Sequence, residues 1–356
     1  MTYQFNEFST KIFITGKVPS IEKIAGDLNI SVNNILVVAD ENTVPIVKTM
    51  CGGVNVPVCV LKSGEENKNW QSAEKILKAA KDASLGRDGL LLGTGGGVIG
   101  DICAFAASVY MRGCRLALAA TTLLAMVDSS VGGKTGFDLF GIKNLAGTFY
   151  PAQAVYMPLD ALNTLPQKEF KSGFAELIKT AVLSGGDFLE QLSVLHSRLP
   201  VKCNLTGGNL TENVLLLDCI KRAVEYKAGI VSEDLRESGK RMLLNLGHTF
   251  AHALESAAGL GNISHGEAVA WGIVRACELG RAAGITPDKR AEKITDLIKS
   301  SGYEHTYPHP LAKDTSFLLD AMKSDKKNKD RKLTFIVPDA ESARIISIED
   351  DKKIFV

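Results

Sequence analysis

Over the first 160 residues, short β-rich apolar runs alternate with amphipathic stretches: KIFIT near residue 11, ILVVAD from Ile35, PVCVLK from Pro57, GLLLG from Gly89 and RLALAA from Arg115. Strands spaced in this way by helical segments predict βα units around a mostly parallel sheet. Beyond Pro166 the period changes. Apolar residues recur every three or four positions through roughly 167–184, 212–232, 241–257 and 266–284, so the second half reads as mainly helical. Two late runs, LTFIVP and ARIISI, read as a small hairpin, preceded by the charged stretch DKKNKDRK. The two prolines of MPLDALNTLPQ mark a join. The expectation is an α/β domain over 1–162, a mainly helical domain over 163–356, and a cleft between them.

Composition narrows the function classes. A chain of 356 residues exceeds the size at which one hydrophobic core usually keeps growing, which supports two domains. Hydrophobic residues at 45% and charged residues at 23% are ordinary for a globular protein, so disorder is not expected. Lys and Arg number 41 against 40 Asp and Glu, so no global field attracts nucleic acid or anionic lipid and any anion site must be local. The seven cysteines are scattered without a C-x-x-C pair and read as reduced thiols of a cytoplasmic protein. MTYQFNEFSTK lacks the pattern of a secretory signal, and the apolar run Leu116 to Val127 is too short to cross a bilayer. Neither a nucleic-acid nor a membrane partner is expected.

Four segments carry chemistry. GTGGGVIGD, Gly93 to Asp101, follows an apolar strand and opens a helix, so its amides and the positive helix end suit a diphosphate, although its spacing is not G-x-G-x-x-G. HTFAH sets His248 and His252 one helical turn apart on one face, and SHGEA adds His265 at the start of the next helix. Thr249 stands where H-E-x-x-H needs its glutamate, which disfavours a peptidase. GFAELIKTAVL places Glu176 and Lys179 on one face of an otherwise apolar helix, either as a simple Glu–Lys pair or as a buried carboxylate that needs a cation, a metal or a proton. DSSVGGKTGF with the following GIKNLAG sets Asp128, Lys134, Lys143 and Asn144 in loops that suit an oxyanion.

Taken in order, GGGVIGD, YMRG, TTLLAMVDSSVGGKT, KNLAG, LPQKEFKSGFAELIK, EDLRESGKRMLLNLGHTFAHALE and HGEAVAWG resemble the 3-dehydroquinate synthase family over nearly the whole chain. The resemblance implies an N-terminal Rossmann-like NAD-binding domain and a mostly α-helical C-terminal domain for metal and substrate. It implies Glu176, His248 and His265 as ligands of zinc or cobalt. For NAD it implies Gly95, Gly96, Gly97, Asp101, Asp40, Glu65, Lys68, Thr121, Thr122, Thr164 and Leu165, with Asp128 and Lys143 near the ribose and nicotinamide. The substrate phosphate falls to Lys134, Asn144, His252 and one of Lys326 and Lys327, with Arg112 supplied by the neighbouring subunit of a homodimer. The substrate carboxylate falls to Arg241 and Asn245, with Lys179, Lys227 and Glu237 completing the pocket. The family's G-K-N reads here as Gly141-Ile142-Lys143-Asn144, with its glycine one place earlier.

The implied reaction turns 3-deoxy-D-arabino-heptulosonate 7-phosphate into 3-dehydroquinate and phosphate. It proceeds by transient oxidation at C5, β-elimination of phosphate, re-reduction and an intramolecular aldol closure. The rival readings are a metal-dependent alcohol or polyol dehydrogenase of the related superfamily, another sugar-phosphate cyclase, and a silent scaffold on the same fold. The dehydrogenase would be expected to lack the VDSSVGGK and R-x-x-L-N-x-G-H runs, and the scaffold to have lost a ligand.

Overall fold

A computed structural model describes residues 1–198, 210–259, 262–324, 333–348 and 354–355. The described residues divide into two compact units. One comprises 1–170 and 227–236; the other comprises 171–198, 210–226 and the described residues from 237 onward.

The first unit is built on a seven-stranded sheet. Its strands are β1 (Thr2–Phe5), β2 (Phe8–Thr15), β3 (Ile35–Asp40), β4 (Val58–Leu61), β5 (Leu90–Gly95), β6 (Arg115–Ala120) and, after two strands that lie outside the sheet, β9 (Ala154–Pro158). Their spatial order is β1-β2-β9-β6-β5-β3-β4. Only the β1–β2 hairpin is antiparallel; every other pair is parallel. The runs ILVVAD, LLLGTG and AVYMP are buried almost throughout, as parallel strands covered on both faces must be. Helices α1 (Ile21–Leu28), α2 (Val44–Cys51), α3 (Trp70–Asp82) and α4 (Gly97–Val109) form the crossovers. Ser20 and Asn69 accept from the first-turn amides of α1 and α3 and so fix where those helices begin.

The parallel register sets Gly95 beside Ala120, and Thr121 N–H donates to the Gly95 carbonyl at 3.0 Å. The glycine loop and the TTLLA segment therefore leave the same carboxyl edge of the sheet, where open α/β sheets bind ligands. Outside the sheet, β7 (Phe137–Leu139) and β8 (Ile142–Ala146) make a separate hairpin. Its two turn residues, Phe140 and Gly141, have φ of 54° and 75°, the positive pair that a tight hairpin turn of the I′ kind requires. The early glycine of Gly141-Ile142-Lys143-Asn144 serves this turn.

The second unit holds most of α5 (Gln167–Ser184), α6 (Phe188–Arg198), the first part of α7 (Leu210–Glu233), α8 (His248–Ala258), α9 (His265–Ala282), α10 (Asp288–Ser300) and α11 (Thr315–Ser324). The late apolar runs pair as the antiparallel hairpin β10 (Leu333–Pro338) and β11 (Ala343–Ile348). Thr249 of α8 donates to the Thr334 carbonyl of β10, and the Phe250 ring packs at a tilt against that of Phe335, their centres 5.1 Å apart.

The continuous helix expected over 241–257 is broken. A 3₁₀ turn covers Lys240–Asn245, Gly247 takes φ of 78°, and α8 starts only at His248. The cause is a close crossing of two backbones. A Cβ on Gly272 of α9 would lie 2.1 Å from the Gly247 carbonyl oxygen, and one on Gly247 would lie 2.8 Å from Ile273 N. Glycine at both positions lets the start of α8 lie directly against α9.

Candidate active site

In the first unit, β5 ends at Gly95, and Gly96, the extended residue before α4, has no side chain with which to cap the first turn of that helix. A Cβ on Gly95 would come within 2.7 Å of Ile99, one on Gly96 within 3.0 Å of Thr122, and one on Gly97 within 3.2 Å of the Ser129 hydroxyl. Side chains at these positions would fill a cradle in which the opening amides of α4 present their N–H groups, and such a cradle fits a dinucleotide diphosphate.

Beside it, the buried Lys68 ammonium donates to Asp101 Oδ2 at 2.7 Å and to Asn144 Oδ1 at 2.6 Å, with Glu65 at 3.9 Å. Burial opposes the lysine's charge, yet Asp101 and Glu65 outweigh it and its pKa is raised. For Asp101, burial outweighs the pull of Lys68, so this carboxyl is also held above its ordinary value. Asn144 takes φ of 50°, and its amide N–H donates to Asp138 at 2.8 Å.

VDSS adopts a single π turn, Ala125–Ser129, closed by Ser130 N–H and Oγ–H, both donating to the Ala125 carbonyl. Lys227 grips this turn through Asp128, donating to its carbonyl at 2.6 Å and its carboxylate at 2.8 Å. Of the other candidates here, Thr121 is buried and Thr122 Oγ accepts from Ala125 N–H at 3.1 Å. Asp40 ends β3, and its Oδ1 accepts from Asn42 N–H and Thr43 N–H at 3.0 Å each. Thr164 ends the 3₁₀ turn Leu159–Thr164 and Leu165 follows it. Lys134, Lys143 and Arg112 are exposed, Arg112 with φ of 67°.

In the second unit, α5, α8 and α9 bring Glu176, His248 and His265 together, their donor atoms all within 4.8 Å of one another. Glu176 is fully buried, and its Oε1 lies 3.2 Å from His265 Nε2 and 3.6 Å from His248 Nε2. An ion bound by bonds of about 2.0–2.2 Å in a tetrahedral frame separates its donors by roughly 3.3–3.6 Å. The other ring nitrogens face acceptors. His248 Nδ1 lies 3.1 Å from the Leu246 carbonyl, and His265 Nδ1 lies 3.4 Å from Glu255 Oε1. Those acceptors put the proton on Nδ1 and turn both Nε2 atoms inward, the orientation that metal-binding imidazoles adopt. The donor set fits a divalent metal such as zinc or cobalt.

Without a metal the same atoms compete for protons. Burial, reinforced by the Lys179 charge, pushes the His248 pKa down to about 3. Burial also opposes charge on His265, but its hydrogen bonds to Glu176 and Glu255 prevail and push it up to about 10. Lys179 completes the group at 2.5 Å from Glu176 Oε2, and the His252 ring centre is 5.4 Å from that of His248. Glu176 and Lys179 are thus both a helical pair and part of the cluster. Elsewhere in this unit Asn245 donates to Glu237 Oε1 and to the Met242 carbonyl, and Arg241 is buried. Lys326 and Lys327 lie outside the described residues. Glu255 was not singled out from sequence, although HTFAHALE places it seven residues after His248 on the same helix face.

A parallel α/β unit with an amide cradle, joined to a helical unit with a two-histidine, one-carboxylate cluster, defines a protein equipped for a dinucleotide and a divalent metal. Residues 58–172 match the family described as 3-dehydroquinate synthase N-terminal, and 173–328 match its C-terminal counterpart. The 3-dehydroquinate synthase of Nitrosospira multiformis is 41% identical over 286 residues, 80% of this chain and 75% of the relative. That of Legionella pneumophila is 38% identical over 312 residues, 86% and 82%. The chain belongs to the 3-dehydroquinate synthase family.

Solved structures share the fold. The 2-epi-5-epi-valiolone synthase of Streptomyces hygroscopicus with NAD+ and Zn2+ bound superposes with a TM-score of 0.85 at 23% identity, covering 99% of this chain and 96% of that one. A 2-deoxy-scyllo-inosose synthase complexed with carbaglucose-6-phosphate, NAD+ and Co2+ gives 0.83 at 22%, covering 99% and 97%. The maleylacetate reductase of a Rhizobium species is more distant, 0.64 at 13%, covering 99% and 95%. Among the described residues no helix is long and apolar enough to cross a membrane.

Proposed function

We propose that this chain is a 3-dehydroquinate synthase, a carbon–oxygen lyase that releases phosphate from 3-deoxy-D-arabino-heptulosonate 7-phosphate and closes the carbocycle. The observation that carries the reading is the convergence of Glu176, His248 and His265 with both Nε2 atoms turned inward, in a chain of this family. Those three residues would hold the metal, and Gly95, Gly96 and Gly97 would hold the NAD diphosphate. When bound, the metal supplies Lewis acidity and the NAD a reversible two-electron acceptor, so that no net oxidation accompanies turnover.

The chain's own groups hold charge and position. Lys179, buried 2.5 Å from Glu176 Oε2, pairs with that carboxylate and aims it. Arg241, buried in a 3₁₀ turn, suits the planar substrate carboxylate, and Asn245 at the end of the same turn donates to Glu237. Lys134 and Asn144 serve the leaving phosphate, whose developing charge cations stabilise. Lys227 holds the π turn and so orients Asp128. Arg112 is assigned to a neighbouring subunit's site in a homodimer, a reading supported by its exposure. A cytoplasmic setting is supported by the six cysteines among the described residues, all buried and free.

The test incubates metal-loaded protein with NAD and the heptulosonate phosphate while phosphate, 3-dehydroquinate and NADH absorbance are followed together. Phosphate and product without accumulating NADH are expected. NADH accumulating without phosphate would replace this reading with a dehydrogenase, and silence in every channel with metal and NAD bound would refute the assigned substrate.

A further inference from the structure

We propose that Glu255 is the positioning residue of the metal centre, orienting His265 through its Nδ1 hydrogen; the inference rests on the metal-site reading above. Residues 248, 252 and 255 fall on one face of α8, and this face meets the first residue of α9. There a capping box fixes the backbone: Ser264 N–H donates to Glu267 Oε2 at 3.1 Å and Glu267 N–H to Ser264 Oγ at 3.3 Å. His265 is thereby held at the mouth of the helix with two ring nitrogens pointing opposite ways, Nε2 to Glu176 at 3.2 Å and Nδ1 to Glu255 at 3.4 Å.

A carboxylate only accepts, so Glu255 assigns the proton to Nδ1 and leaves Nε2 to the metal. Its negative charge also makes the imidazole a better donor. Glu255 is only 8% exposed, and burying a carboxylate is costly unless a partner repays it. The two histidines differ in this respect. His248 takes its Nδ1 acceptor from the backbone at Leu246, which mutation cannot remove. His265 takes its acceptor from a side chain, so its orientation depends on one replaceable residue.

The test compares full-length wild type, Glu255→Ala and Glu255→Gln for Zn2+ affinity, by competition with a chromophoric chelator, and for the visible absorption of the Co2+ form. Loss of such a partner typically weakens metal binding about 10–100-fold, and that loss is expected for Glu255→Ala. The glutamine amide oxygen can accept the same hydrogen without the charge, so Glu255→Gln should recover much of the affinity while its Co2+ spectrum still differs from wild type. Melting of the metal-free variants checks that folding is intact; if the alanine variant does not fold, the glutamine variant's affinity and spectrum carry the test. Affinities and spectra equal to wild type in the folded variants would overturn the role of Glu255 alone. A wild-type protein that takes up neither Zn2+ nor Co2+ would overturn the metal site and this inference with it.

Discussion

Replacing Gly272 by alanine should damage both the fold and the metal centre through the same displacement. The new Cβ would sit 2.1 Å from the Gly247 carbonyl oxygen and 3.2 Å from Ala251 N, both backbone atoms of the facing segment. Real Cβ contacts essentially never fall below 3.0 Å, so α8 and α9 must part by 0.9 Å or more. No side chain can swing away to absorb this. Alanine gains about 1 kcal/mol of helix propensity over glycine, while overpacking costs about 1–3 kcal/mol. With backbone on both sides the upper end applies, leaving a net loss of about 2 kcal/mol, or roughly 4–8 °C in Tm for a unit of this size. His248 follows Gly247 directly, so the shift stretches a donor triangle whose sides are now 3.2 and 3.6 Å. Metal affinity should fall about 10-fold or more. Calorimetric melting of the metal-free protein and chelator competition measure the two effects. Gly26, exposed on α1 with nothing within 4 Å of its Cβ position, is the control, and alanine there should add about 0.5–1 kcal/mol. If Gly272→Ala melts at or above wild type with unchanged metal affinity, the glycine contact does not set the ligand spacing.

Three more outcomes follow from the buried groups. Glu176→Gln should abolish metal-dependent turnover; unchanged metal content and activity would remove Glu176 from the site. Lys68→Met leaves Asp101 and Asn144 without their shared donor and should destabilise the protein by roughly 3 kcal/mol. The Asp101 carboxyl, already raised by burial, then rises further. Its folded form thus binds a proton more readily than its unfolded form, so the damage should grow as pH rises from about 4 toward neutrality, and denaturant melts at pH 5 and 8 would show it. Burial pushes the Cys114, Cys219 and Cys277 thiols up to about 12 and raises those of Cys51, Cys59 and Cys103. All six should therefore stay un-ionised at pH 8 and resist alkylation in the folded state, and rapid labelling of any by peptide mapping would contradict that.

Much of the fold is written in the hydrophobic pattern because its strands and helices are buried in ways that period reports. ILVVAD, GLLLG and RLALAA are parallel strands covered on both sides, and 167–184 becomes Gln167–Ser184. What escaped was set by partners distant in sequence. The strand Ala154–Pro158 is a five-residue run ending in proline, and it becomes a strand by sliding between β2 and β6. The break at Gly247 answers to Gly272 and leaves no trace in the apolar period. At the site, the two histidines of HTFAH announced themselves by spacing. Glu255 did not, since an acidic residue near a helix end reads as solvated until the ring facing it is known. The π turn of VDSS likewise depends on Lys227, about a hundred residues away.

The order of strands in the sheet also sets a timetable for synthesis. The β1–β2 hairpin precedes the rest of the sheet along the chain and exposes one edge whose partner, β9, lies about 140 residues further on. At roughly 5–20 residues per second, that edge waits some 7–30 s after β2 is made. During this interval a strand reading FSTKIFIT offers its unpaired amides and carbonyls to any other chain, with Lys11 as its only charge against such pairing. Nascent chains halted before Pro158 should be the ones that aggregate or hold chaperones longest, and chains released beyond it should have closed the edge themselves.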